Sequence, residues 1–151
     1  MGHATPVFSS VVIPPALHLE TTERGKAEGY DDVLTLETLE SDGWFRTLEL
    51  SPKSRKLATE LSDVLGTGEA EAIALTLERK ERLLVDDLKG RRTAEVYRLE
   101  TTTTMGLLLE LLAKRAISAL DYQRNVKVYG SQGWISADVM QEFIKAGNKF
   151  E

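Results

Sequence analysis

Short β-branched apolar runs alternate along this chain with longer amphipathic stretches, and that alternation predicts an α/β fold around a short parallel sheet. The apolar run 83–85 ends in Asp86-Asp87, as expected of a buried parallel strand with acids at its carboxyl end. A length of 151 residues, 42% of them hydrophobic, suits a single domain over 1–151 that buries roughly 70% of its extended surface.

The elements follow in order. Val11-Val12-Ile13 reads as a buried strand, stopped by Pro14-Pro15. Proline suits a first helical turn, so a helix is expected over 15–24, ended by Gly25. A second helix is expected over 30–39, with Asp31-Asp32 as its cap. Ser41-Asp42-Gly43 is a turn, and 44–50 (WFRTLEL) is rich in strand formers. Ser51-Pro52 opens a helix with Leu57, Leu61, Val64 and Leu65 on one face. Gly66-Thr67-Gly68 breaks it. A further helix over 69–82 carries Ala70, Ile73, Ala74 and Leu77 as its apolar stripe. After the strand 83–85, helices are expected over 91–99, 105–116, 118–129 and 136–145, with a short strand at 101–104 and Ser136 as an N-cap.

Composition narrows the chemistry. No cysteine means no disulfide scaffold, no thiolate metal site and no cysteine nucleophile. Two histidines, His3 and His18, do not make a multi-histidine zinc site within one chain. No apolar run approaches the roughly 18 residues of a membrane helix, and the start has no signal-peptide pattern, so a cytoplasmic protein without a membrane partner is expected. The net charge of −5 gives no bulk support for nucleic-acid binding, so any such role must rest on local clusters.

Acids at strand ends and first helical turns are the candidate site. Ligands of open α/β sheets gather beyond the carboxyl ends of the strands, where Asp86 and Asp87 lie. Glu69 and Glu71 open a helix, where the macrodipole favours carboxylates, and Glu20 follows the first strand. Hard cations such as Mg²⁺ or Mn²⁺ need only a few such oxygens plus water and substrate phosphate. The same residues also have plain structural readings: Asp86-Asp87 as a turn or helix cap, the glutamates as surface acids. Lys89, Arg91 and Arg92 stand beside Asp87, placed to hold a phosphate backbone, or simply to solvate a helix start. Gly66-Thr67-Gly68 lacks the lysine and hydroxyl of a phosphate-binding loop.

Segments 68–75 (GEAEAIAL), 83–92 (LLVDDLKGRR) and 104–108 (TMGLL), with 11–20 (VVIPPALHLE) upstream and Trp134-Ile135-Ser136 downstream, together resemble the PIN-domain family, in its subgroup of predicted nucleic-acid-binding PIN-like proteins. The likeness extends from about Phe8 to the C-terminus. It implies a three-layer α-β-α fold. It also implies a metal-dependent endoribonuclease, often the toxin of a toxin–antitoxin pair, with one or two Mg²⁺ or Mn²⁺ ions activating water. On this likeness Glu20, Glu69 and Asp87 are the catalytic acids, with Glu71 and Asp86 as neighbouring metal ligands. RNA and an antitoxin protein are the implied partners. The chain departs from the family pattern in two places. No aspartate precedes Asp31, so the opening strand with its metal-binding aspartate and the following helix are expected to be lacking, and Thr103 stands where the subgroup has glycine. An N-terminally truncated domain is therefore expected to be weak or inactive as a nuclease; the alternative is a non-catalytic relative that binds RNA or a partner protein. The nearly all-apolar segment 105–112, with an uncovered sheet edge, leads to the expectation of a homodimer.

Overall fold

The structure, a computed structural model, describes residues 11–24 and 32–150. Gly25, Tyr30 and Asp31 lie outside the described residues. The elements run β1 (Val12–Ile13), α1 (Pro15–His18), a π-helical stretch (Leu19–Arg24), α2 (Asp32–Ser41), β2 (Arg46–Thr47), α3 (Pro52–Leu61), α4 (Thr67–Arg79), β3 (Leu83–Leu84), α5 (Leu88–Val96), β4 (Thr101–Thr102), α6 (Thr104–Ala113), α7 (Ala119–Ser131), α8 (Ala137–Gly147) and a closing 3₁₀ turn (Asn148–Phe150). Helices and short strands alternate through the first two-thirds, in keeping with the α/β class expected from the sequence. The strand residues form two two-stranded pieces, β1 with β2 and β3 with β4. β1 and β2 are parallel, Val12 opposite Arg46 and Ile13 opposite Thr47.

The described residues divide into two compact units, those up to Thr101 and those from Thr102 onward. In the first, α4 is the central support. Its Ala70 and Ile73 pack with Leu61, Leu65, Leu83, Val85 and Ala94, while its Ala74 and Leu75 pack with Leu50 and Ala58. A helix buried on two sides has little freedom to shift, so whatever its first turn carries is held firmly. α3 packs along α4, and Ser54 Oγ donates to Glu78 Oε2 at 2.8 Å. In the second unit α6, α7 and α8 pack on one another around Met105, Leu112, Tyr122 and Val126. Thr103, Ser118 and Ser136 cap these three helices by accepting from Gly106, Asp121 and Val139 N–H groups. Each such cap contributes about 1 kcal/mol.

Several boundaries differ from expectation. The segment 15–24 is helical throughout but widens into π-type winding after His18. α4 begins at Thr67 rather than Glu69, because the extended Gly66 serves as the N-cap and its carbonyl accepts from Ala70 N–H, so Gly68 lies inside the helix. It ends when Lys80 takes φ +54°, the left-handed turn that redirects the chain into β3. α5 begins at Leu88, three residues early, because Asp87 caps it. Only Thr101 and Thr102 of 101–104 are strand; Thr103 becomes a cap instead. Of 44–50, only Arg46 and Thr47 pair.

Candidate metal centre

Three chain segments bring carboxylates toward the first turn of α4. Glu69 sits in that turn, half-buried. Asp87 follows β3 and caps α5, its Oδ2 accepting from Gly90 N–H at 2.9 Å. Glu20 lies in the π-helical stretch, where wider winding often marks functional positions.

Two glycines measure the convergence. A methyl at Gly90 would lie 3.7 Å from Glu69 Cδ and 3.8 Å from Asp87 Oδ2, so those two carboxyl groups flank the same point. A methyl at Gly68 would meet Leu17 Cδ2 at 2.8 Å and lie 3.4 Å from Glu20 Oε2. A side chain at Gly68 would force the Leu17 side chain to shift.

The electrostatics agree with the geometry. The Glu69 carboxyl is pushed above its usual range, first by burial, then by the negative charge of Asp87 and, less, of Glu20. The Gly66 backbone and the Lys89 ammonium pull it down only in part. Like charges held near one another favour either a proton or a cation between them.

The other expected ligands have different surroundings. Glu71 Oε2 accepts from Ala16 N–H at 2.7 Å, which ties α4 to the start of α1. Residues two apart on a helix do not share a face, so Glu69 and Glu71 address different neighbours. Asp86 is exposed and directly precedes Asp87 in extended chain, where successive side chains point to opposite sides. Lys89, Arg91 and Arg92 all lie in the N-terminal half of α5. Lys89 and Arg92 are exposed and Arg91 is half-buried. Lys89, in the first turn, works against the macrodipole, so helix stability does not explain it.

Sequence reasoning passed over His18. Its Nε2 lies 2.9 Å from Glu40 Oε2, and Glu40 Oε1 accepts from Thr47 Oγ1 at 3.0 Å, which links α1, α2 and β2. A single histidine with no motif around it carries no local signal of such a link. The roles of Gly68 and Gly90 were equally silent, because close approach is a property of what packs against them.

A family model described as a PIN domain matches residues 2–149. The chain belongs to the PIN-domain family. Neither a curated protein nor a solved structure gives a significant match to it. PIN domains have a nuclease-type fold, generally use divalent metal ions and commonly bind nucleic acid. Among the described residues, no three His, Asp or Glu side chains close tightly enough to form a ready-made ion cage. The donor set nonetheless suits the metal class. Glu20, Glu69 and Asp87 offer only hard oxygens, and Mg²⁺ or Mn²⁺ sites commonly use one or two carboxylates and keep several waters. No helix among the described residues is long and apolar enough to cross a membrane.

Proposed function

We propose that this PIN domain is a metal-dependent ribonuclease whose Mg²⁺ or Mn²⁺ is held by Glu69, Asp87 and Glu20. The observation that carries this reading is the convergence at the first turn of α4, where the Glu69 and Asp87 carboxyl groups flank Gly90 and Glu20 Oε2 stands over Gly68. Retaining mutually repelling acids costs stability, and that cost is intelligible where a cation offsets it. When bound, the ion would activate a water and stabilise charge on the phosphate. Asp87 keeps one oxygen on Gly90 N–H, which fixes its carboxylate in direction. Lys89 stands near Glu69 and supplies positive charge beside the acids; with Arg91 and Arg92 it would hold the RNA backbone. The preference for RNA over DNA comes from the family resemblance. An antitoxin that masks these basic residues belongs to the same reading. So does a homodimer through α6, whose Leu107, Leu108, Leu109 and Leu111 are only half-buried.

The test separates the ligand from the cap. Asn caps a helix as well as Asp does, so Asp87→Asn keeps the Gly90 contact and removes only the charge. Mn²⁺ titration by calorimetry should show affinity reduced about tenfold or more in Asp87→Asn and Glu69→Gln, with folding intact. Wild-type cleavage of single-stranded RNA is expected to be weak, and what there is should fall on the order of 100-fold in both variants. Cleavage unchanged in both variants would overturn the assignment. Mn²⁺ binding without cleavage by the wild-type chain would point to a non-catalytic RNA-binding role.

A further inference from the structure

α1 has an unusual start. Its N-cap is Pro14, which has no side-chain oxygen to accept a hydrogen bond, and its first residue is Pro15, which has no N–H. The first free donor of the helix is therefore Ala16 N–H. That donor is taken by Glu71 Oε2, 55 residues away on α4, at 2.7 Å. A carboxylate at a helix N-terminus joins a charge-assisted hydrogen bond to a favourable dipole contact.

The consequence lies one turn further on. From Ala16 the backbone runs through Leu17, which lies against Gly68, to Glu20, whose Oε2 stands over the same glycine. Thus α4 grips the α1 segment at two places: Glu71 at its start and Gly68 under Leu17. We propose that Glu71 is a positioning residue: its carboxylate sets the register of α1 on α4 and so places Glu20 opposite Glu69. It acts through the α1 backbone and does not itself bind the metal. This inference rests on the metal-site reading above for its consequence, though the clamp itself does not need an ion.

The experiment uses the full chain as wild type, Glu71→Ala, Glu71→Gln and Glu69→Gln. Amide hydrogen exchange at Ala16 and the nuclear Overhauser contact between the Leu17 methyls and the Gly68 α-protons report the clamp. Calorimetric Mn²⁺ titration reports the site. Glu71→Ala should speed Ala16 exchange about tenfold or more and weaken the Leu17–Gly68 contact. Its Mn²⁺ affinity should fall about tenfold with unchanged stoichiometry. Glu71→Gln keeps a neutral acceptor and should recover most of both, which also guards against a loss caused by misfolding. Glu69→Gln should lose Mn²⁺ binding while Ala16 stays protected.

If Glu71→Gln loses Mn²⁺ as fully as Glu69→Gln while Ala16 stays protected, Glu71 is a ligand and the inference is overturned. Unchanged Ala16 exchange and an unchanged Leu17–Gly68 contact in Glu71→Ala overturn it as well. Should the wild type bind no Mn²⁺, the metal-site reading fails, and the Ala16 and Leu17 measurements still decide the clamp.

Discussion

At the scale of single residues, Glu69 couples site chemistry to stability. Its carboxyl is raised from the ordinary value of 4.5 by burial and by Asp87 and Glu20. A raised carboxyl pKa means ionisation costs more in the folded chain than in the unfolded one. Metal-free stability should therefore decline as pH rises from about 4.5 through the higher folded value, and stay lower above it. Glu69→Gln removes that decline and should raise the melting temperature at neutral pH by about 1–2 °C in chelator. Thermal melts of both proteins across pH 4–8 check this; a Gln variant less stable than wild type at pH 7 would contradict it. Asp87 differs in kind, because its carboxylate also holds a helix end. Stability and ion binding should thus part at Asp87, with Ala costing about 1 kcal/mol that Asn does not.

At the scale of elements, the glycines within helices show how packing decides the effect of a substitution. A methyl at Gly147 would run into the Tyr122 ring. That ring is fully buried and its hydroxyl donates to Phe143 O at 2.6 Å, so it has nowhere to go. Gly147→Ala should cost about 1–3 kcal/mol through overpacking. A methyl at Gly130 would meet the Met140 thioether, and a flexible methionine can move aside. Gly130→Ala should be within about 0.5 kcal/mol of neutral, helped by alanine's helix propensity. Urea denaturation of the two variants tests the contrast, and equal losses would contradict it.

For the molecule as a whole, charge has to be read locally. A net charge of −5 repels a polyanion at long range, yet Lys89, Arg91 and Arg92 gather in one half of a single helix next to the acids. If these three carry the phosphate contacts, binding of single-stranded RNA should weaken with salt at a log–log slope of about −2, from roughly 0.7 per contact. Lys89→Ala should reduce that slope by about 0.7 without altering preference among sequences. Fluorescence anisotropy across a salt series measures both, and a slope that ignores Lys89 would move the RNA contacts elsewhere.

Much of this protein was legible in the amino-acid order, because the signals are local. Prolines 14 and 15, the helix openings at Ser51, Ser118 and Ser136, and the apolar period of α4 each act within a turn or two of chain. Places after strands and at helix starts marked Glu20, Glu69, Glu71, Asp86 and Asp87 as candidate acids, and the family resemblance set Glu20, Glu69 and Asp87 apart from the others. What they meet was not legible there. By position alone Glu71 read like Glu69, and nothing in the order of residues shows that its carboxylate accepts from a backbone N–H 55 residues away. Gly68 and Gly90 became the measure of the site only once Leu17, Glu20, Val85 and Glu69 had packed against them. Hydrogen bonds and carboxylate repulsion act over a few ångströms of space, whereas the order of residues records distance along the chain; only the folded structure converts one into the other.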